Sequence, residues 1–177
     1  MLTRPTLLAG ALAALTLSAC GRPAADEQPA AAPAAAEAAP VAYAGPRVPA
    51  GTTIEVYKSP TCGCCKLWMD HLEQAGFTVV AHDTQDVESV KALMKVPGSI
   101  ASCHTALVNG IVVEGHVPID VVAKLAMERP AGVKGVGVNG MPLGAAGMEG
   151  YGRRDPFDVE TWDAKGQVKV LTHVAGS

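Results

Sequence analysis

The sequence predicts an α/β domain in which strands and helices alternate before a β-hairpin and a last helix. Residues 52–57 carry β-branched side chains with the alternation of a strand. Apolar side chains at helical spacing follow in residues 62–75, and Gly76 ends that run. Asn109-Gly110 stands between two apolar runs, which is a strong signal for a hairpin turn. These three patterns together predict the α/β class.

The first half of the domain is predicted to hold two strands and two helices. They are a strand over 52–57, a helix over 62–75, a strand over 77–81 and a helix over 86–95. Asp86 is the predicted N-cap of the second helix, and Pro97-Gly98 stops it. The apolar stripes predicted to face the core are Leu67, Trp68 and Leu72 in the first helix and Val87, Val90, Leu93 and Met94 in the second.

The second half continues with the hairpin, a helix and a tail. The predicted elements are strands over 104–108 and 111–114 and a helix over 118–128. Pro118 suits the first turn of that helix. Residues 131–150 then form a Gly-rich loop that contains Met141 and Met148, and residues 157–174 predict a terminal hairpin around Lys165-Gly166.

This order of elements resembles the thioredoxin arrangement, a βαβ unit followed by a β-hairpin and a helix. We therefore predict a thioredoxin-like β-α-β-α-β-β-α core with a C-terminal Gly/Met-rich loop and a short hairpin extension. Thioredoxins carry their redox cysteines at the start of the first helix of this unit, and a cis-proline followed by Thr before the third strand. The resemblance implies that His104 replaces that proline and that Cys103 lies beside the cysteine motif.

The N-terminus has the features of a secretory signal. Arg4 supplies positive charge, and residues 6–17 form an apolar run of about 12 residues, against the roughly 20 that span a bilayer as a helix. The segment from Leu17 to Cys20 resembles the bacterial lipobox, whose Cys becomes the lipidated first residue of the mature chain. The alternative is an ordinary signal peptide with an incidental Cys.

We accordingly expect three regions. They are a signal peptide over 1–19, a lipidated Cys20 with an Ala/Pro-rich tether over 20–50, and a folded domain over 51–177. A chain of this kind is expected in the periplasm, anchored by lipid to a bacterial membrane. The formal net charge is −3 and only 4% of residues are aromatic, so nothing favours a nucleic-acid partner.

Besides Cys20 the chain has four cysteines: Cys62, Cys64, Cys65 and Cys103. The first three lie within one four-residue motif, and this clustering disfavours a framework of two structural disulfides. Neighbouring cysteines pair only in a strained geometry, so at most one unstrained disulfide, Cys62–Cys65, is feasible inside the motif. The clustering favours chemistry over a structural role.

Two kinds of chemistry fit this motif. A helix N-terminus lowers a thiol pKa, so the Cys62/Cys65 pair has the spacing and setting of a thiol–disulfide oxidoreductase. Cys64 and Cys103, however, would compete in every exchange. Alternatively the thiolates bind a soft metal. Zinc sites generally use two separated ligand pairs, iron–sulfur sites need four well-spaced cysteines, and copper(I) fits the tight cluster best.

Further candidate ligands lie elsewhere in the domain. His104 and His116 are imidazole candidates, each with the alternative of a buried structural or a solvated turn histidine. Met141 and Met148 are thioether candidates, with the alternative of filling gaps on the core. Other residues are expected outside the site: Met69, Met94 and Met127 in the core and His71, His82 and His173 on the surface.

The domain resembles the bacterial copper-resistance proteins of the CopG type. The matching segments are KSPTCGCC at 58–65 with Trp68, SCHTA at 102–106, EGHVP at 114–118, GMPLG at 140–144 and GME at 147–149. The chain departs from the pattern expected in that family at two places. Asn139-Gly140 stands where we expect Pro-Gly, and Ala145-Ala146 stands where we expect Ser-Pro. Both departures fall in the Gly-rich loop of residues 131–150, which we call the methionine loop. They therefore weaken the assignment of Met141 and Met148 as ligands more than that of the cysteines.

The resemblance implies a periplasmic role in copper tolerance, with more than one copper(I) ion in a thiolate cluster at Cys62, Cys64, Cys65 and Cys103. Copper ions, and other periplasmic proteins that handle copper, are the implied partners. Interconversion of copper(I) and copper(II) has been proposed for such proteins, which leaves open whether the chain is an enzyme. The alternatives are a thiol–disulfide oxidoreductase of thioredoxin type and a structural lipoprotein.

Overall fold

The computed structural model describes residues 43–177. The predicted signal peptide, Cys20 and most of the predicted tether lie outside the described residues. Within residues 43–177, no helix combines the length and the apolar character needed to cross a membrane.

The domain is a mixed α/β structure built on one seven-stranded sheet with the strand order β2-β1-β3-β4-β5-β6-β7. The pairs β1–β2 and β4–β5 are parallel and the other neighbours are antiparallel. The elements are β1 Thr53–Lys58, α1 Gly63–Gln74, β2 Thr78–Asp83, α2 Val87–Met94, β3 His104–Val108, β4 Ile111–Glu114, α3 Ile119–Glu128, β5 Gly135–Gly137, β6 Phe157–Trp162 and β7 Val168–Val174. The predicted α/β class and the order of the first seven elements are confirmed.

The buried face of helix α1 is shifted from the predicted apolar stripe. Trp68 and Leu72 are fully buried, and the indole N–H of Trp68 donates to the Val117 carbonyl at 2.9 Å. Leu67, predicted in the same stripe, is 52% exposed. The prediction was wrong there because the buried face consists of Cys65, Trp68, Met69 and Leu72, the i, i+3, i+4, i+7 pattern of one helix face, and Leu67 lies outside it.

Helix α2 differs more from its predicted apolar stripe. Asp86 caps it as predicted, accepting from the Ser89 backbone N–H at 3.0 Å. The buried residue of the helix, however, is Lys91, whereas Leu93 is exposed to solvent. The predicted apolar stripe is therefore rotated, because Lys91 has a buried carboxylate partner that local spacing does not reveal. Met127 in α3, predicted in the core, is also exposed.

The β3–β4 hairpin has the predicted turn. Asn109 and Gly110 both have positive φ, at 48° and 83°, as a two-residue turn of type I′ requires. The turn pairs Val108 with Ile111, and the Asn109 side chain donates to the Ala126 carbonyl at 2.8 Å. The hairpin is thereby fixed against α3 and sets the register of the central strands.

The Gly-rich segment contains a short strand that its sequence does not indicate. Gly135–Gly137 pairs with β4 on one side and with the terminal hairpin β6–β7 on the other. Gly135 lies under the Trp162 ring, so closely that a Cβ would collide with it. The predicted hairpin is thus an extension of the same sheet.

The folded part also begins before residue 51. Val48, in the segment predicted as tether, is buried in the core, and its backbone N–H donates to the Ala75 carbonyl at 3.1 Å. Tyr43 packs on the same core cluster. The last residues of the predicted tether are therefore held against the domain.

Candidate metal centre

The cysteine motif lies at the first turn of α1. Cys62 is the N-cap residue, and its Sγ accepts from the Cys65 backbone N–H at 3.3 Å. The Cys62 backbone N–H donates to the Ser59 carbonyl at 3.1 Å, so the turn after β1 fixes where the helix begins. The unpaired N–H groups and the dipole of a helix start favour negative charge, which suits thiolates at this position.

Four sulfur atoms converge at this turn. The Sγ atoms of Cys62, Cys64, Cys65 and Cys103 all lie within 4.8 Å of one another. Cys62 Sγ is 3.6 Å from Cys64 Sγ, and Cys65 Sγ is 3.6 Å from Cys103 Sγ. Cys103 arrives from the residue before β3, whose antiparallel pairing with β1 brings the two chain segments together.

Two of the four cysteines are joined. Cys62 and Cys65 form a disulfide, with their Cα atoms 5.4 Å apart, and Cys64 and Cys103 are free thiols. This is the one pairing that the sequence allows inside the motif without strain. The oxidised motif therefore still presents two thiols beside the disulfide.

Cys103 contacts both the other cysteines and two histidines. Its Sγ lies 3.1 Å from His116 Nε2 and 3.3 Å from His104 Nδ1, and the three ligand atoms form a second compact group. Burial, followed by the charge of Cys64, raises the pKa of the Cys103 thiol to about 12. A thiol of this kind is protonated at neutral pH, and a bound metal ion would displace the proton.

His116 is oriented by the backbone. Its Nδ1 lies 2.7 Å from the Ala146 carbonyl oxygen, which can only accept, so Nδ1 carries the hydrogen. Burial lowers the pKa of His116, so the ring is neutral and Nε2 directs a lone pair at Cys103. A carbonyl that fixes the tautomer in this way is a common second-shell partner of metal-binding histidines.

His104 is fully buried beneath the motif. Its ring centroid lies 4.5 Å from the Trp68 ring and 5.0 Å from His116. Burial, with His116 nearby, lowers the pKa of His104 well below its ordinary value. Among the described residues, none offers a hydrogen-bond partner to its Nε2. His104 is thus a neutral imidazole whose Nδ1 faces the cluster.

A buried ion pair supports the loop that carries Cys103. Lys91 Nζ lies 2.9 Å from Glu114 Oε1, and both side chains are almost fully buried. Glu114 also accepts from the Thr105 hydroxyl at 2.6 Å and from the Ser102 backbone N–H at 2.7 Å. Burial raises the pKa of Glu114, while Thr105 and Lys91 oppose that shift.

The sequence analysis does not predict this ion pair, although two residues in the sequence point to it. Lys91 interrupts the apolar pattern of α2, and Glu114 ends an otherwise apolar strand. A charged residue at a core-facing position is almost always paired when buried, so the two residues could have been matched.

The methionine loop crosses the first turn of α1. Gly147 lies so close that a Cβ there would come within 2.7 Å of the Cys64 carbonyl oxygen, and its φ is +82°. Glu149 in the same loop pairs with His71 at 2.9 Å, which places His71 at the edge of this contact. Met148 is buried and Met141 is 52% exposed. The loop as a whole is close to the motif, but Met141 faces solvent.

The donor set fits copper(I). Four sulfur atoms and two neutral imidazoles are soft or borderline ligands, and no carboxylate belongs to either compact group of ligand atoms in residues 43–177. Copper(I) would be held by the cysteine thiolates, with His116 and His104 as nitrogen donors. The cysteines and histidines predicted from sequence are all brought together, whereas the methionines are not shown to join them.

Part of the chain matches a described protein family. Residues 100–148 match the family described as "Protein of unknown function, DUF411". No curated protein matches the chain.

Two solved structures are similar. The structure titled "Copper resistance protein copG- Form 2" shares 42% sequence identity with a TM-score of 0.67, over 70% of this chain and 98% of that one. The structure titled "Copper resistance protein copG- Form 1" gives the same identity and TM-score over 71% and 98%. Identity at this level over nearly the whole of the similar chains establishes a family relationship, so the chain belongs to the family of copper resistance protein CopG.

Proposed function

We propose that this chain binds copper(I) as a multinuclear thiolate cluster and serves copper tolerance in the periplasm. The observation that carries the proposal is the convergence of four Sγ atoms within 4.8 Å of one another at the start of α1. Thiolates can bridge metal ions, so once the Cys62–Cys65 disulfide is reduced, four thiolates at this turn can hold more than one. The titles of the similar structures support copper as the metal.

The histidines extend the proposal to copper redox chemistry. Imidazole nitrogen is a good ligand for copper(II) as well as for copper(I), and His116 and His104 both face Cys103. Interconversion of the two oxidation states at this site, with one electron per copper ion passed to or taken from an external redox partner, is therefore part of the proposal. Met148, buried in the loop over α1, and Met141 are candidate additional ligands. Other periplasmic copper-handling proteins are the partners that such a role requires.

Anaerobic titration of the fully reduced mature chain with copper(I), followed by metal analysis, tests the cluster. We expect more than one tightly bound copper ion per chain, because the thiolates can be shared. A tight stoichiometry of one would leave a mononuclear site. Preference for zinc over copper in direct competition would overturn the copper assignment.

The second candidate is a thiol–disulfide oxidoreductase in a thioredoxin-like fold. The observation that favours it is the Cys62–Cys65 disulfide, with Cys62 at the N-cap of a helix. The two functions differ in what they require of Cys64, which is a copper ligand in the first and a bystander in the second.

A further inference from the structure

The disulfide divides the cysteine cluster into two unequal parts. Cys62 and Cys65 are joined and cannot bind a metal as thiolates, whereas Cys64 and Cys103 remain thiols. The two free sulfurs lie within 4.8 Å of each other. A metal–sulfur bond is about 2.3 Å, so one ion can join two thiolates up to about 4.6 Å apart in a near-linear arrangement. Even at the 4.8 Å bound, a side-chain shift of about 0.2 Å would bring the two Sγ atoms into that range.

The free thiols keep their nitrogen neighbours in this state. His116 Nε2 is 3.1 Å from Cys103 Sγ, and the Ala146 carbonyl fixes the tautomer that leaves this nitrogen unprotonated. His104 Nδ1 is 3.3 Å from the same sulfur. None of these contacts involves the disulfide, so oxidation of the motif leaves this half of the donor set in place.

We propose that the disulfide form retains a smaller copper site, in which Cys64 and Cys103 bind one copper(I) ion with His116 as an additional ligand. The inference rests on the proposed function and adds a second state to it. Exchange with a dithiol, which is oxidised to its own disulfide as Cys62 and Cys65 gain two electrons and two protons, enlarges the site to the full cluster. The reverse exchange, with a disulfide as the oxidant, reduces its capacity without emptying it. Oxidised protein would then still withhold one copper ion from solution.

The first measurement compares the two redox forms of the mature chain carrying Cys20→Ser, which removes the lipid-bearing thiol. The disulfide form is prepared metal-free, and alkylation with peptide mapping verifies that Cys64 and Cys103 are the modified residues. Both forms are titrated anaerobically with copper(I) against a chromophoric copper(I) chelator. We expect one tightly bound ion in the disulfide form and more than one in the reduced form.

Variants assign the ligands of the smaller site. Cys103→Ser should abolish stoichiometric binding in the disulfide form, and His116→Leu should weaken it. His173→Leu is the matched control, because His173 is exposed on the terminal hairpin, where it pairs with Asp158, and the change should leave binding unchanged. The double variant Cys62→Ser/Cys65→Ser cannot form the disulfide and should also bind one copper(I) ion.

The outcomes separate this inference from the proposed function. If the reduced chain binds several ions while the disulfide form and the double variant bind none tightly, the inference is wrong and the cluster stands. If the reduced chain binds no copper tightly, both are wrong. Alkylation of Cys62 or Cys65 in the oxidised chain would show a different disulfide and would also overturn the inference.

Discussion

At the scale of the residue, Cys64 distinguishes the two candidate functions. In thiol–disulfide exchange, Cys62 attacks and Cys65 resolves, so Cys64→Ser should leave disulfide reduction intact or improve it. In copper binding, a neutral hydroxyl is a poor ligand for a soft ion, so the same change should lower the copper stoichiometry of the reduced chain. Metal analysis and a disulfide reduction assay on the same preparation decide between them.

Cys103→Ser is the companion variant in this test of the two functions. Cys103 Sγ lies 3.6 Å from Cys65 Sγ and 3.1 Å from His116 Nε2, so its loss should impair copper binding as well. Intact copper stoichiometry in Cys64→Ser, together with strong disulfide reductase activity in the parent, would favour the oxidoreductase.

At the scale of the element, the buried ion pair joins α2 to β4. Replacing Lys91 by Met leaves the Glu114 carboxylate buried without its cation, and breaking such a pair costs about 3–5 kcal/mol. We expect a loss of that order in the free energy of unfolding, measured by denaturant titration at neutral pH.

Lys66→Met in α1 provides the control for that loss. Lys66 forms an exposed pair with Asp70 at 3.5 Å, and an exposed pair of this spacing contributes only about 0.3–0.5 kcal/mol. Equal losses in the two variants would show that Lys91 and Glu114 are not coupled as the structure indicates.

The short strand β5 gives a second test at this scale. Gly135→Ala places a Cβ into the Trp162 ring, and overpacking of a filled site costs about 1–3 kcal/mol. Thermal unfolding of the variant should occur at a lower temperature than that of the parent.

Gly98→Ala is the matched change, since a Cβ at Gly98 has no atom within 4 Å and its φ is not positive. A Gly135→Ala variant as stable as Gly98→Ala would mean that Trp162 does not cover β5.

The elements differ in how well the sequence predicts them. The β3–β4 hairpin follows from Asn109-Gly110 because the turn chemistry is local. Strand β5 has two glycines and one valine, and it becomes a strand only through pairing with β4 and β6. Lys91 likewise takes its inward position from Glu114, which is distant in sequence.

The candidate site shows the same division between local and long-range information. Cys62, Cys64 and Cys65 could be grouped from spacing alone, and Cys103 could be added only by analogy with a known arrangement of strands. The orientation of His116 depends on the Ala146 carbonyl in a loop with no regular pattern, so no sequence period could indicate it.

At the scale of the whole molecule, the N-terminal expectation stays a prediction, because it falls outside residues 43–177. If Cys20 is lipidated, Cys20→Ser should move the protein from the membrane fraction to the soluble periplasmic fraction. Fractionation with immunodetection measures this, with Cys64→Ser as the matched control that should stay anchored. A parent protein that is already soluble in the periplasm would exclude the lipid anchor.

The position of Cys103 also has a consequence for the stability of the entire domain. Cys65 and Cys103 are separated by 38 residues, and their sulfurs meet only after β1 and β3 have paired. A copper ion shared by these thiolates would act as a removable cross-link between two distant parts of the chain. Its affinity for the folded form alone would add to the free energy of unfolding. Copper supply would then determine how much folded protein survives heat or proteolysis, so the abundance of the protein would rise with the metal it handles.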